Sequence, residues 1–580
     1  MNISGPRQNY TRSERVIAQR AKVLAVMVGL GLVLMFAAPA TPTSTFVVST
    51  PPPTPTPATP SPAATATPTV GQFDAQIGTV TMQTGQTAFV LNSGSMDPSR
   101  CAGQQISVYG ASNVKLTGRQ GPGVREMRRA PLTTQIVSCT DPQHGRTKLL
   151  APASVRNAPV RFGTDVSAAI NVSIKAGVAI SLPSGAVGYA KDSIMPISGT
   201  RIAGNNATIL NGWEAGYSPE HPKGLNSIAI VGTSHLARIS GVNIHDLYID
   251  NGLDFNWNQL GNGEPMGIFV TYAQQVTLSR NHINNTLRGI GVMEDADIIL
   301  LDSNVYTNNH EDGEHFGESY LPGDEVTNIT SQYALLKGYS DDAIAVVGGN
   351  VACTTNLSAP GGPVSNVRII HPTIIGARNP GGSEIYNMAI QIVGNVQNIY
   401  LDTADVERPA MGSIQISDSF GAAPRHVKIS GGHIEAGTQW GLPITVTSEA
   451  GPNDRFFPNC PVAPIQDLTI TGMDIDMGGS NGIVPRIGAP YLYATVQGAC
   501  IDAVGYISQV KITNNWCYNS GTTARNNVGL YVDPDTFGAV PVGLTLSNNE
   551  FDFTDTSSTL LHNGTHGAVV NQNNIVGRAH

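Results

Sequence analysis

Apolar residues recur in an eight-residue pattern along the C-terminal part of the chain. The third and eighth positions of each copy are apolar, as in residues 276–283 (VTLSRNHI) and 298–305 (IILLDSNV). The shortest interval between copies is 22 residues, from 276 to 298, and the longest is 42 residues, from 468 to 510. Periods of this length are typical of solenoids, in which each repeat forms one coil. Further copies start at Ala237, Thr327, Val367, Ile399, Val427, Leu468, Val510 and Leu544.

A second pattern follows each copy: a small residue, an apolar residue, any residue, and another apolar residue. Because a strand places alternate side chains on opposite faces, the apolar positions form an inward column. A column of small residues, amides and rings then faces outward, and it fits either a shallow sugar-binding face or an ordinary solvated sheet face. Its predicted members are Phe269, Gly291, Ala345, Gln391, Gln415 and Tyr531.

The repeats also share a polar position. Asn281, Asn515 and Asn549 occupy the same place between the two apolar anchors. Stacked amide side chains hydrogen-bond from one strand layer to the next. A structural asparagine ladder is therefore predicted, without a chemical role.

A short helix is predicted where the repeats begin. Apolar residues between 166 and 174 follow helical spacing, with Thr164 as the expected N-cap and Gly177 as the expected end. A strand-like stretch follows at 178–183. This order resembles the N-terminal segment of pectate-lyase-like β-helix proteins, in which such a helix caps the open end of the solenoid. The expected fold class is all-β: a right-handed parallel β-helix over residues 158–580, with an N-terminal capping helix.

Three segments are predicted before the β-helix. Basic residues precede an apolar run at 23–38, so residues 1–40 are expected to be a signal peptide or a membrane anchor. Residues 41–70 are rich in Pro and Thr and are expected to form an extended linker. Short alternating runs at 71–157 predict a small β-rich domain. The expected location is extracellular or at the cell surface.

Composition narrows the expected partners. A net charge of -9 argues against nucleic acid, because proteins that bind it normally carry a basic patch. Membrane contact is expected only through the N-terminal segment, and the oligomeric state stays open. The chain has 6 cysteines behind an export signal, which favours disulfides. Cys101–Cys139 is the predicted pair in the N-terminal region.

Two coils carry acidic residues where other coils carry small or apolar ones: 310–316 (HEDGEHF) and 340–346 (SDDAIAV). The repeat aligns Asp312 with Asp342, and matching positions on successive coils lie ~4.8 Å apart. Like charges so close raise the pKa of one carboxyl, which keeps one acid protonated beside an ionised one. Arg288 is expected in the same column one coil earlier. Asp-Asp before a strand is also common in turns, so a purely structural role stays open.

The acidic coils resemble a known family. Residues 340–346 resemble the Gly-Asp-Asp-Cys-Ile-Ala-Ile motif of polygalacturonase-type glycoside hydrolases, and 311–313 resemble that family's Asn-Thr-Asp-Gly motif. The resemblance implies an inverting hydrolysis. In it, Asp341 would be the general acid, and Asp312 and Asp342 would position and activate the attacking water.

The sequence departs from this family at two further motifs. Residues 387–389 (NMA) stand where the family has Gly-His-Gly. Gln415 and Ser417 stand near the place of the Arg-x-Lys pair that holds galacturonate carboxylates. A glycosidase for neutral sugars, or a diverged relative, is therefore expected instead of a polygalacturonase.

The expected function is that of an extracellular carbohydrate-active protein, a glycoside hydrolase acting on a polysaccharide or surface glycan without a cofactor. One alternative is a Ca²⁺-dependent polysaccharide lyase with Arg288 or Arg378 as the base. The other is a non-catalytic surface adhesin or carbohydrate-binding protein. The predicted catalytic residues are Asp341, Asp342 and Asp312. The predicted substrate-binding residues are Arg288, Glu311, His315, Arg378, Gln391 and Gln415, and no metal ligand is assigned.

Overall fold

The computed structural model describes much of the chain from residue 65 onward. The predicted signal or anchor segment lies outside the described residues, as does most of the predicted linker. No described helix is long and apolar enough to cross a membrane. The described residues are 65–66, 73–113, 115–120, 124–212, 226–252, 266–309, 311–317, 323–339, 341–349, 362–377, 388–409, 412–418, 422–436, 442–448, 464–477, 499–520, 528–533, 540–552, 558–562 and 569–576.

The described residues form one helix, α1 (Ser167–Lys175), and 41 strands. The strands are β1 (Thr65–Ala66), β2 (Gln76–Met82), β3 (Ala88–Ser93), β4 (Gln105–Val108), β5 (Lys115–Gln120), β6 (Val124–Arg129), β7 (Leu132–Cys139), β8 (His144–Thr147), β9 (Val155–Gly163), β10 (Ala179–Ser181), β11 (Val187–Ala190), β12 (Arg201–Asn211), β13 (Ile228–Val231), β14 (Ile239–Ser240), β15 (Asn243–Asp250), β16 (Met266–Ser279), β17 (His282–Asn284), β18 (Arg288–Asp302), β19 (Val305–Thr307), β20 (Glu314–Gly317), β21 (Val326–Gln332), β22 (Leu335–Tyr339), β23 (Ile344–Val347), β24 (Val364–Ile370), β25 (Thr373–Ala377), β26 (Met388–Val393), β27 (Val396–Glu407), β28 (Gly412–Ser417), β29 (Arg425–Glu435), β30 (Leu442–Ser448), β31 (Ile465–Thr471), β32 (Asp474–Asp476), β33 (Ala499–Gly505), β34 (Ile507–Thr513), β35 (Trp516–Tyr518), β36 (Val528–Asp533), β37 (Val542–Ser547), β38 (Glu550–Asp552), β39 (Ser558–His562), β40 (Val569–Gln572) and β41 (Ile575–Val576).

Parallel pairing between successive coils builds the main body. A sheet of 33 strands runs from β10 to β41, with β1 at its edge, and each strand pairs with its counterpart one coil later. This is the predicted right-handed parallel β-helix. Two of its faces are defined here by their strands. The site sheet is the run β16, β18, β20, β23, β26, β28, β30, β33 and β36, and the second sheet is the run β21, β24, β27, β29, β31, β34 and β37.

The inward column of the site sheet is aliphatic, as the repeat predicts. Ile344 pairs with Ile390, and Ile390 pairs with Ile414, and all three are buried. The small residue before each apolar position has a steric cause. A Cβ added at Gly313 would collide with the side chain of Leu336 of β22, on the following coil. A small residue therefore recurs at this position because the corner has little space for a larger side chain.

The predicted asparagine ladder is confirmed. The Asn281 amide donates to Asn304 Oδ1 at 3.2 Å, and the Asn515 amide donates to Asn549 Oδ1 at 2.9 Å. The Asn549 amide donates in turn to Asn574 Oδ1 at 2.8 Å. These bonds tie consecutive coils together along a corner of the solenoid.

The capping helix is present, but its predicted N-cap is wrong. The helix begins at Ser167 with Val166 in the N-cap position. The Thr164 backbone N–H and hydroxyl donate instead to Asp74, at 2.7 and 2.9 Å. Gly177, with φ of 71°, follows the helix end as predicted. Ile170 of the helix joins the aliphatic core of the solenoid, so the helix covers its open end.

A second folded region precedes the capping helix. Strands β2, β3, β8, β7, β4 and β9 close into an antiparallel barrel with its own apolar core. The predicted disulfide between Cys101 and Cys139 lies in this barrel, with the Cα atoms 6.3 Å apart. A second disulfide joins Cys500 and Cys517. Strand β9 crosses residue 157, and the predicted domain limits 71–157 and 158–580 stay a prediction.

Candidate functional site

Three charged residues stack at one corner of the site sheet. Ile290 of β18 pairs with Glu314 of β20, and Glu314 pairs with Ile344 of β23. The residues two positions before each of these, Arg288, Asp312 and Asp342, therefore share one column on three successive coils. The alignment predicted from the repeat is confirmed by this register, whereas a catalytic role for the residues stays a prediction.

Asp312 lies in the middle of the stack, beside Arg288 and His315. It is 3% exposed, and its Oδ2 accepts a hydrogen bond from His315 Nδ1 at 2.8 Å. Arg288 Nε lies 3.2 Å from the same oxygen and 3.1 Å from Glu311 Oε2. Burial by itself would raise the pKa of Asp312. The hydrogen bond from His315 and the charge of Arg288 outweigh it and hold the pKa below its usual value.

Asp342 has the opposite environment. It is 5% exposed, and its Oδ1 accepts the Met388 N–H at 3.2 Å. Burial raises the pKa of Asp342 well above its usual value, and the charges of Asp341 and Asp312 add to the effect. The Asp342 N–H also donates to Asp312 Oδ1 at 3.2 Å. A carboxyl that favours its protonated form thus lies directly beside one that favours its ionised form.

The other predicted site residues fall into three groups. Asp341 is partly exposed and precedes the buried Asp342. Glu311 and His315 are each 2% exposed and hold the Arg288–Asp312 pair, so their direct contact with a sugar stays a prediction. Arg378 lies outside the described residues.

The predicted outward column is confirmed in its register but is not a solvated face, because Ala345, Gln415 and Tyr531 are only 1%, 8% and 3% exposed. His315 pairs with Ala345, Ala345 with Gln391, and Gln391 with Gln415. The Gln391 amide donates to Gln415 Oε1 at 3.1 Å. Each step is ~4.8 Å, so the two amides lie on a line that runs along the solenoid from the stacked acids. The line continues over Thr445 and Asp502 to Tyr531.

Sequence reasoning missed two buried carboxyls. Glu314 occupies the inward column in a place that isoleucine fills on the neighbouring coils, and burial raises its pKa to about 7. Asp502 is 1% exposed, neither of its oxygens has a donor among the described residues, and burial raises its pKa well above the usual value. A signal for Glu314 was present, because the register that aligns Asp312 with Asp342 also aligns Glu314 with Ile344.

The described residues contain no group of three or more His, Cys, Asp or Glu side chains arranged to hold a metal ion. The chemistry that the site itself offers is proton transfer. A protonated carboxyl can donate to a leaving oxygen while a neighbouring carboxylate accepts a proton from water. The molecule is thus a parallel β-helix that carries, on one face, a buried pair of carboxyls whose pKa values are shifted in opposite directions.

No family model matches the chain, and no curated protein matches it. Solved structures do match. PfbA, a surface adhesin of Streptococcus pneumoniae, is 12% identical, with 68% of this chain and 87% of that chain covered and a TM-score of 0.45. The catalytic unit of a GH87 alpha-1,3-glucanase from Streptomyces thermodiastaticus is 12% identical, with coverages of 84% and 95% and a TM-score of 0.41. A Family 28 exopolygalacturonase of Yersinia enterocolitica is 13% identical, with coverages of 87% and 99% and a TM-score of 0.41.

Proposed function

We propose that the chain is a glycoside hydrolase that cleaves a polysaccharide outside the cell. The observation that carries the proposal is the Asp312–Asp342 pair. Two identical side chains are stacked on adjacent coils, and their surroundings push their pKa values in opposite directions. Hydrolysis of a glycosidic bond uses two neighbouring carboxyls, one protonated and one ionised.

The pKa directions suggest a division of roles. Asp342 holds the proton and donates it to the glycosidic oxygen as the carbon–oxygen bond breaks. Asp312, ionised, accepts a proton from the water whose oxygen forms the new bond to the sugar carbon. The resemblance to polygalacturonases implies Asp341 as the acid. We assign to Asp341 instead the negative charge that, together with burial, raises the pKa of Asp342.

Arg288 and His315 act as positioning residues in this proposal. Both are buried, and both hold Asp312 Oδ2. They keep the base ionised and fix its orientation. Glu311 accepts a hydrogen bond from Arg288 Nε and so holds the guanidinium beside Asp312.

A neutral sugar is the proposed substrate unit. The outward column next to the pair carries the partly exposed Gln391, held by the buried Gln415, and its amide can donate to and accept from sugar hydroxyls. The column runs along the solenoid axis, which suits an extended chain. The N-terminal basic and apolar segment supports export, so the proposed substrate is an extracellular polysaccharide or surface glycan.

The test is an assay of the full chain on a panel of polysaccharides. New reducing ends and the absorbance of unsaturated products are followed with and without EDTA. We expect reducing ends without unsaturation, and a loss of about 10²–10⁴-fold in kcat for Asp342→Asn and Asp312→Asn. Asparagine retains the oxygen that accepts the Met388 N–H, so Asp342→Asn should unfold at a similar temperature. Asp467→Asn, a half-exposed carboxyl on the second sheet, is the matched control.

Two results would replace the proposal. Unsaturated products that require Ca²⁺ would show a lyase. Binding to a glycan without any product, equal in the wild type and in Asp342→Asn, would show an adhesin.

A further inference from the structure

The second sheet carries a row of basic side chains away from the carboxyl pair. Strand register aligns one outward residue from each of five successive coils. We call this row the basic ladder, and its residues are Arg368, Tyr400, Lys428, Thr469 and Lys511. The ladder begins on β24, the strand that follows the Asp342 coil along the chain.

The three cations of the ladder are regularly spaced. Neighbouring coils are ~4.8 Å apart, so Arg368, Lys428 and Lys511 recur at roughly 10 Å intervals along a straight line. All three are exposed. None forms an ion pair with an acidic residue in the part of the chain that the structure describes. Unpaired cations in a row are unusual for a molecule whose net charge is -9.

An aromatic ring orders the first two cations. The Arg368 guanidinium lies 5.8 Å from the centre of the Tyr400 ring, and the Lys428 ammonium lies 5.4 Å from it. Cations over a ring face are held by its quadrupole without losing their net charge. The ring therefore fixes two long side chains in an extended arrangement and leaves both charges available to a ligand.

Acidic residues close to the ladder are already engaged. Asp402 Oδ1 accepts hydrogen bonds from the hydroxyls of Thr403 and Ser430, at 3.1 and 3.3 Å. Asp467 Oδ2 accepts from His426 Nδ1 at 2.7 Å. Neither carboxylate is therefore directed at a ladder cation.

We propose that the basic ladder binds a linear anionic polysaccharide, one with carboxylate or sulfate groups, lying along the solenoid axis. Charge complementarity selects an anion, and the straight row selects an extended polymer over a compact ligand. The hydroxyls of Tyr400 and Thr469 alternate with the cations and suit sugar hydroxyls. Duplex DNA is a poorer match, because each of its strands carries a phosphate about every 3.4 Å of helix axis, far more densely than these cations.

This surface is a second glycan site, on a different sheet from the carboxyl pair, and it does not depend on the proposed hydrolysis. It would hold the protein on an acidic glycan while the site sheet handles another chain or another stretch of the same chain. The test below is therefore made with the Asp342→Asn variant of the full chain, so that turnover has no part in it.

Binding to polygalacturonate and to dextran sulfate is measured by titration at low salt, with neutral dextran and duplex DNA as competing probes. The ladder variant combines Arg368→Gln, Lys428→Gln and Lys511→Gln. The control variant has the same change in charge at exposed sites elsewhere: Arg146→Gln, Lys148→Gln and Lys175→Gln. We expect the ladder variant to lose about tenfold or more in affinity, since three exposed contacts contribute up to about fivefold each. The control variant should lose less than about twofold.

Added salt should weaken binding by the wild-type ladder, because exposed charges are screened over a Debye length of about 8 Å at physiological ionic strength. Equal losses in the ladder and control variants would overturn the proposal, since they would show a general charge effect. Equal binding to neutral dextran would also overturn it. DNA binding that exceeds binding to both acidic glycans would assign the ladder to nucleic acid instead.

Discussion

Asp312 and Asp342 show how far position alone can separate two identical side chains. Both are buried on adjacent coils at the same point of the repeat. Asp312 has Arg288 and His315 beside it, whereas Asp342 has two carboxyls as neighbours. The energetic consequence is that a single proton on the pair favours Asp342. Sequence reasoning could predict the alignment, because the coil length fixes it.

Glu314 places an ionisable group inside the solenoid, and this has a consequence for stability. Tyr306 donates a hydrogen bond to Glu314 Oε1 at 2.7 Å, and Oε2 has no donor among the described residues. Burial raises the pKa to about 7, from 4.5, so the folded state favours the protonated form. Such a group stabilises the fold fully at pH below about 4.5. That contribution is lost as the pH rises through about 7.

Glu314→Gln should therefore change the pH dependence of unfolding. Glutamine keeps the acceptor for Tyr306 and cannot ionise. The free energy of unfolding of the variant, relative to wild type, should increase by about 2–3 kcal/mol between pH 5 and pH 8. Chemical denaturation at the two pH values measures this difference. A constant difference between the two proteins would show that Glu314 does not titrate in this range.

At the scale of elements, the asparagine ladder joins consecutive coils at their corners, as backbone hydrogen bonds join them along the strands. Asn515 is buried, its Oδ1 accepts the Met473 N–H at 2.9 Å, and its amide donates to the Ile470 carbonyl at 3.2 Å. Removing the side chain leaves the Met473 N–H and the Ile470 carbonyl without these hydrogen-bond partners inside the corner. A buried group without a partner costs about 1–3 kcal/mol.

Asn515→Ala is accordingly expected to lower the free energy of unfolding by about 2–4 kcal/mol. Hydrogen exchange should increase first in β31, β34 and β37, which surround that corner. Lys511→Gln, an exposed change on the same coil, is the control and should move stability by less than about 0.5 kcal/mol. Similar effects of the two substitutions would exclude a structural role for the ladder.

The elements also show where sequence reasoning ends. Thr164 has the composition and position of an N-cap, yet Asp74 takes both of its donors from a point 90 residues away in the chain. Such a long-range hydrogen bond leaves no trace in a local pattern. The strands, their register and the outward column could be predicted, because they repeat with the coil. Glu314 departs from that repeat, and it was missed because the family resemblance rests on the neighbouring residues 311–313.

At the scale of the whole molecule, the barrel is joined to the solenoid through buried polar contacts. Arg161 of β9 donates to Asp250 Oδ1 at 2.8 Å and to the Asp250 carbonyl at 2.7 Å. Removing either partner of this largely buried ion pair would leave the other charge uncompensated, which is costly. Neither residue stands out in the sequence, because each belongs to a different repeat pattern and they meet only in the fold.

The solenoid separates its charges by face. The site sheet presents buried acids and a line of amides, and the second sheet presents the basic ladder. Long straight surfaces of this kind follow from stacking equal coils, because a residue type repeated at one position becomes a row. The two proposed glycan-binding faces would suit the proposed action on a polymer too large to enter a pocket.

The proposed roles require that Asp342 holds a proton while Asp312 beside it is ionised. Infrared difference spectra of the wild type against single variants test it without any substrate, by the carbonyl stretch of a protonated carboxyl. We predict that Asp342→Asn loses such a band at pH 7, whereas Asp312→Asn retains it and Asp467→Asn leaves it unchanged. Identical spectra for the wild type and Asp342→Asn, or loss of the band in Asp312→Asn, would contradict the account.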